Sequence, residues 1–246
     1  MRPLIVGNWK MNTMRSEATA LVAGLMEQRA ELDPGCDLLV CPPFVILRPV
    51  ADIIEGSPIA LGAQDCHTDN SGAHTGDVSA GMLADAGCEF VIVGHSERRA
   101  DHQEDDALVA SKAGAAHASG LQAIICVGET LDQRNAEETL SVVEGHLLSS
   151  VPDGATAENT VVAYEPIWAI GTGLTPTIEQ ISEVHDHIRA LLVARFADGN
   201  EFRLLYGGSM NPGNAREILA VKNVNGGLVG GASLNVEDFW SICTSV

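Results

Sequence analysis

Four polar side chains in this sequence stand where a short apolar run gives way to a loop. Asn8 and Lys10 close such a run in GNWKMN, His95 follows the run FVIVG, and Glu165 ends TVVAYE. Two glycine pairs close further runs, Gly207-Gly208 ahead of Ser209 and Gly230-Gly231. A carboxylate can serve as a general base, a neutral imidazole as a hydrogen-bond donor to a developing oxyanion, and an ammonium as a fixed positive charge. Glycine-rich backbone brings N–H groups close to an anion. Together the set suits removal of a proton beside a carbonyl on a small phosphorylated substrate, with Glu165 as the base. His95 directly precedes a helix start predicted at Ser96, where the helix dipole disfavours imidazolium, so its ring is expected neutral. Taken singly, each signal is weak. An Asn-x-Lys is an ordinary polar turn, and a glycine pair an ordinary loop. Among the eight histidines, His117 and His185 fall within helical patterns and read as helix-surface residues.

Other chemistries lack their residues. There is no H-E-x-x-H and no aspartate cluster for a metal, no G-x-S-x-G elbow and no Walker lysine. The six cysteines are scattered without a C-x-x-C pair, and read as small buried hydrophobes of a reducing compartment. Gly171-Thr172-Gly173 forms a G-x-G, but inside a loop rather than at a strand-to-helix turn, so it is no dinucleotide fingerprint. No metal and no cofactor are therefore expected.

The elements that must hold these side chains follow from the apolar pattern. Eight short runs begin at Pro3, Asp37, Ile59, Phe90, Gln122, Thr160, Phe202 and Gly226. They are continuous rather than alternating, as parallel strands covered on both faces should be. Helical spacing fills the gaps, most clearly at Ile178, Ile181, Val184, Ile188, Leu191 and Leu192, behind a capping box at Thr177 and Gln180. The repeat averages about 32 residues, the size of one βα unit, and eight units in one chain indicate an α/β protein with a (β/α)8 TIM barrel. The single domain is expected to cover 1–246. An open doubly wound sheet is the structural alternative on pattern alone. The barrel makes a demand on the site: its residues belong at the strands' C-terminal ends.

The chain carries 14 basic and 33 acidic residues, a formal net charge of −19. That field repels nucleic acid and anionic membrane surfaces, so neither is an expected partner. An anionic ligand then needs local positive potential. No apolar run approaches the roughly 20 residues that span a bilayer, and MRPLIVGNWK is no signal peptide, so a cytoplasmic location is expected.

Five motifs in order, GNWKMN, VIVGHSERR, AYEPIWAIGTG, YGGSMNP and GLVGGASL, resemble the triosephosphate isomerase family, and the likeness runs from residue 3 almost to the end. The resemblance implies interconversion of dihydroxyacetone phosphate and glyceraldehyde 3-phosphate, without metal or cofactor. It makes Glu165 the proton shuttle, His95 the neutral electrophile and Lys10 the charge stabiliser, with Asn8 in contact and Glu97 behind Lys10. Backbone N–H groups of Gly171, Ser209, Gly230 and Gly231 would hold the phosphate. PIWAIGTG would be a lid hinged at Pro166-Ile167-Trp168, latched by Tyr206 and Ser209, with Glu129 as partner of the Trp168 indole. Such borrowed acid–base tuning and loop closure are the family's own. A homodimer is also implied, the loop around Thr75 and Gly76 entering the partner near its Lys10. Two departures stand out: Leu174-Thr175-Pro176 at the far hinge, where lysine-threonine-alanine is frequent, and His74 and Asp77, where phenylalanine and glutamate are usual. Two other readings keep the cradle: an isomerase of a longer sugar phosphate such as a tetrulose phosphate, and a sugar-phosphate-binding barrel without catalysis.

Overall fold

A computed structural model describes residues 1–172 and 174–246 of the chain. Eight strands run through it: β1 (Leu4–Asn8), β2 (Asp37–Cys41), β3 (Ile59–Ala63), β4 (Phe90–Val93), β5 (Gln122–Val127), β6 (Thr160–Tyr164), β7 (Arg203–Tyr206) and β8 (Gly226–Val229). Each falls within one of the eight apolar runs. Every strand is parallel to its neighbours, and β1 pairs with both β2 and β8, so the sheet closes into a barrel in sequence order. Closure excludes the open doubly wound alternative.

Two separate cores explain why the runs are continuous. Leu4, Val6, Leu39, Cys41, Ile124 and Cys126 belong to the packed interior, together with Leu205 and Leu228 from the later strands. Their neighbours Ile5, Leu38, Val40 and Ile125 belong to a second core that takes in the surrounding helices. Alternation along a strand sends one residue to each, so both faces must be apolar.

The helix Ile178–Arg195 begins as its capping box predicts: Thr177 Oγ1 accepts from Gln180 N at 3.3 Å and Gln180 Oε1 accepts from Thr177 N at 2.9 Å. Its stripe buries Ile181, Val184, Ile188 and Leu192. His185 corrects the expectation of a surface residue. It is wholly buried, edge-on to Tyr164 with ring centroids 5.9 Å apart, and its Nδ1 lies 3.1 Å from the Asn223 carbonyl. Position 185 is four after Ile181 and three before Ile188, so helical geometry sends it into the same stripe. Burial pushes its pKa down to about 4.

All eight strands point one way around a closed ring, so the residues just after each strand share one rim. The predicted site residues are of that kind, carried by β1, β4, β6, β7 and β8.

Candidate active site

At the end of β1 the backbone is held in an unusual shape. Lys10 has φ of +52°, a left-handed conformation that a non-glycine residue adopts only when its surroundings insist. The insistence is visible. Lys10 N donates to Asn8 Oδ1 at 3.1 Å, while the Gln64 amide donates to the Lys10 carbonyl at 2.9 Å and to the Cys41 carbonyl at 2.8 Å. Buried Asn8 therefore acts here as a brace for Lys10. The ammonium pairs with Glu97 Oε1 at 2.5 Å, as expected for a carboxylate standing behind it.

Beyond β4 the chain passes Gly94 and enters the helix Ser96–Asp101, with His95 as its N-cap. His95 Nδ1 accepts from the Glu97 amide at 3.2 Å. An Nδ1 that accepts an N–H puts the proton of the neutral ring on Nε2, the nitrogen that faces the site. That Nε2 lies 3.0 Å from Glu165 Oε1. Burial disfavours imidazolium, but in this arrangement the Glu165 carboxylate outweighs it and leaves the His95 pKa raised. The helix N-terminus thus fixes the tautomer, while neutrality depends on where Glu165 stands.

Glu165 follows β6 and is only 2% exposed. Burial works against its charge, yet His95 and the Ser96 N–H, donating to Oε2 at 2.9 Å, together hold its pKa below the ordinary carboxylate value. Its backbone is fixed as tightly: Glu165 N donates to the Val127 carbonyl at 2.8 Å. A Cβ on neighbouring Gly128 would lie 1.7 Å from the Glu165 carbonyl oxygen, so no other residue fits at 128.

The start of the segment expected to form a lid is built around Glu129. This carboxylate is fully buried, and its Oε1 accepts from the Trp168 indole at 3.0 Å and from the Tyr164 hydroxyl at 3.1 Å. Arg134 approaches the same oxygen at 3.4 Å and lies over the Trp168 ring. Pro166 precedes a short turn, Ile167–Ala169, whose first N–H donates to the Glu129 carbonyl at 3.1 Å. Further out, Thr172 Oγ1 donates to the Trp168 carbonyl at 2.9 Å and accepts from Leu174 N at 3.2 Å. Gly171 and Thr172 are exposed. Gly173 of the lid motif lies outside the described residues. At the far hinge Leu174 and Thr175 are exposed, whereas Pro176 is buried.

The two glycine pairs have different physical reasons. A Cβ on Gly207 would meet Glu165 Cγ at 2.9 Å, and one on Gly208 would meet the Tyr206 hydroxyl at 2.3 Å. That pair makes room for the side chains of Glu165 and Tyr206. A Cβ on Gly230 would find only Lys10 Cε, at 3.5 Å, and one on Gly231 nothing within 4 Å. The second pair faces open space, as backbone kept clear for a ligand would. Tyr206 is buried, and its hydroxyl has no partner among the described residues.

Asn8, Lys10, His95, Glu165, Gly171, Ser209, Gly230 and Gly231 all border one cavity of ≈ 500 Å³. Every residue picked from the sequence as catalytic or substrate-binding is therefore on one concave surface. Three contributors escaped sequence reading: Gln64, Gly128 and the Ser96 N–H. Gln64 and Gly128 directly follow β3 and β5, so the strand-end rule that singled out Lys10 and Glu165 reaches them too.

A carboxylate, an imidazole N–H and an ammonium around an N–H-rich cavity can move a proton between adjacent carbons and stabilise the oxyanion formed. Comparison with known proteins points the same way. The sequence model described as triosephosphate isomerase matches residues 3–246. A triosephosphate isomerase of Bradyrhizobium diazoefficiens is 56% identical over 243 residues, covering 98% of this chain and 96% of its own length. One from Ruegeria sp. (strain TM1040) is 56% identical over 246 residues, covering 100% and 98%. Among solved structures, the triosephosphate isomerase of Bartonella henselae superposes with a TM-score of 0.93 at 46% identity, covering 100% of this chain and 99% of that one.

Proposed function

The chain belongs to the triosephosphate isomerase family, and we propose that the cavity over its barrel performs the family's reaction with Glu165 as the base. The protein is an isomerase that interconverts dihydroxyacetone phosphate and D-glyceraldehyde 3-phosphate, a step of glycolysis and gluconeogenesis. The observation that carries the residue assignment is the convergence of Glu165, His95 and Lys10 on the ≈ 500 Å³ cavity.

Substrate enters as a phosphate ester and sits with its phosphate on the N–H groups of Gly171, Ser209, Gly230 and Gly231. Lys10 supplies the positive charge that a chain of net charge −19 otherwise withholds from an anion. Glu165 swings from Ser96 and His95 toward the substrate carbon. In losing those partners its carboxylate loses what kept its pKa low, and it becomes a stronger base as it arrives. It takes the proton from the carbon beside the carbonyl, leaving an enediolate, and returns it to the neighbouring carbon. With Glu165 gone from Nε2, burial, the Lys10 ammonium and the helix N-terminus all favour the neutral His95 ring against the smaller pull of Glu97. Its Nε2–H then polarises the carbonyl and passes protons between the two oxygens. Bond changes balance within the substrate, and no oxidant or reductant is needed.

The lid 166–173 closes over the phosphate through Gly171, and its apolar residues exclude water while the enediolate exists. The buried hydroxyl of Tyr206 awaits a lid partner, and Ser209 shares that latch. Residues 1–246 act as one catalytic domain. Two copies assemble as a homodimer. This is supported by the exposed apolar side chains Met11, Phe44, Val45 and Met82, which follow β1, β2 and β3 on the rim side. A second cavity of ≈ 480 Å³ beside Lys10, lined by Met11, Gln64 and Glu97, has room for the partner's loop around Thr75. A cytoplasmic location fits six cysteines that are all free and buried. Among the described residues no helix is long and apolar enough to cross a membrane.

A coupled assay of the purified protein on triose phosphates and on a tetrulose phosphate tests the assignment. Fast turnover of the triose alone is expected. Preference for the longer sugar would move the substrate to the alternative, and binding of a phosphoglycolate-type ligand without turnover would leave a binding barrel.

A further inference from the structure

The ladder between β4 and β5 stops one rung short of the site. Its last paired residues are Val93 and Ile125, and the next rung would join Gly94 to Cys126. Gly94 leaves the strand with φ of +68°, in the turn that delivers His95. Arg99, in the helix Ser96–Asp101, reaches back across the gap. Its Nε donates to the Gly94 carbonyl at 2.8 Å and its Nη2 to the Cys126 carbonyl at 3.2 Å. Its backbone N–H donates to the His95 carbonyl at 3.0 Å, so Arg99 grips the peptide units on both sides of His95. From Cys126 the hold passes on to Glu165. The carbonyl of the next residue, Val127, accepts the Glu165 N–H at 2.8 Å, and β5 pairs with β6 as far as Val127 and Tyr164. Arg99 itself does not border the ≈ 500 Å³ cavity. Given the proton transfer assigned to Glu165 and His95, we infer that Arg99 is a positioning residue of the isomerisation: its guanidinium replaces the missing rung and keeps both side chains in register across β5.

The guanidinium is aimed from outside the barrel. Nη1 donates to Asp106 Oδ1 at 2.7 Å and Nη2 to Ser150 Oγ at 2.9 Å, while Ser150 Oγ donates to Asp106 Oδ1 at 2.8 Å. Asp106 opens the helix Asp106–Ala118 and Ser150 ends the helix Thr139–Ser150. Two helices thus hold its far side while the Nε–Nη2 edge faces the strands. Gly94 leaves room for it: a Cβ there would lie 3.2 Å from Arg99 Nη2 and 2.7 Å from Val109 Cγ1. A planar guanidinium offers donors in a fixed fork, whereas a lysine ammonium is a point charge that cannot serve carbonyls of two strands and two helix groups at once. Arg189 makes a second clamp of the same kind at the opposite end of the barrel. It is buried and donates to the Gly199 and Phe202 carbonyls at 2.6 and 2.7 Å and to Asn225 Oδ1 at 2.8 Å. Phe202 and Asn225 directly precede β7 and β8. The two arginines therefore share their chemistry and differ in which rim they hold.

Arg99→Lys keeps the charge and loses the fork, and Arg189→Lys does the same at the other rim. With triose phosphate, Arg99→Lys is expected to lower kcat at least about tenfold with KM within about twofold, since the glycines after β7 and β8 keep the phosphate cradle. Arg189→Lys should lower the melting temperature yet leave kcat within about twofold of wild type. The Glu165 carboxylate, followed by carbon-13 NMR in the free enzyme, gives a readout that needs no turnover. It should titrate higher in Arg99→Lys, because its contacts with the Ser96 N–H and His95 slacken, and stay at the wild-type value in Arg189→Lys. The proposal is overturned by wild-type kcat in Arg99→Lys, by an equal loss in Arg189→Lys, or by an unmoved Glu165 titration in Arg99→Lys. If Arg99→Lys does not fold, Ser150→Ala removes one of the two groups that aim the guanidinium; the same changes are expected at smaller size, and their absence overturns the proposal equally. A wild-type protein without turnover would count against the proposed site itself, and the Glu165 titration would still decide the role of Arg99.

Discussion

At the scale of single residues, the site works by where each proton is held before substrate arrives. The Ser96 N–H and His95 keep the Glu165 carboxylate below its usual range. Followed by carbon-13 NMR of its side chain in the free enzyme, the Glu165 carboxylate should therefore titrate below the ordinary value of 4.5 for such a group. Ser96→Pro removes one of those donors at the first helical position, where proline fits. His95, with ψ of 142°, already has the extended shape required before proline. The expected outcome is a folded enzyme whose Glu165 titration moves upward. An unmoved titration would mean that the Ser96 contact does not set the carboxylate's ionisation. The main site residues were legible in the sequence because apolar runs end abruptly and polar residues with distinct chemistry follow them. The Ser96 contribution was not, since a backbone N–H has no residue type to read.

At the scale of elements, the helix Ile178–Arg195 shows what periodicity reveals and what residue type conceals. The apolar stripe predicted the helix and its buried face. His185 sits on that stripe, but a histidine among helical residues is read as polar, so its burial went unseen. Its consequence is a pH-dependent stability with a definite sign. The folded pKa of about 4 lies below the ordinary histidine value of 6.5. Above pH 6.5 the ring is neutral in both states and the fold bears no penalty; as pH falls from 6.5 toward 4, only the unfolded chain takes up the proton and stability declines. The full loss is about 3 kcal/mol. Urea unfolding at pH 7, 5.5 and 4.5 should follow this decline in wild type and a shallower one in His185→Gln. Equal slopes would contradict the burial. The far hinge of the lid is a second element-scale case. Buried Pro176 stands directly before the N-cap Thr177 and pins the lid's end to a rigid helix. Pro176→Ala should loosen the hinge and speed lid exchange, seen in Trp168 fluorescence relaxation with substrate analogue, while the deprotonation step itself changes little.

At the scale of the whole molecule, closure of eight parallel strands puts every strand end on one rim, and one sequence-wide repeat was enough to foresee it. What the repeat did not contain is association. Val45 is 86% exposed on the rim side, a position that costs a monomer little and that a dimer would cover. Val45→Asp buries an unpaired charge in such an interface and should weaken the dimer by about a hundredfold or more, read by sedimentation equilibrium. A wild-type protein that sediments as a monomer would overturn the dimer. The scales meet in Glu165, which follows β6 and is braced by Gly128 and Ser96. The most direct measurement is turnover of Glu165→Gln on triose phosphate in D2O, followed by NMR for deuterium entering the substrate carbon. The expected result is a folded protein with kcat lower by at least about a thousandfold and almost no deuterium incorporation, against ready incorporation in wild type. Near-normal turnover, or continued exchange at the substrate carbon, would show that another group moves the proton.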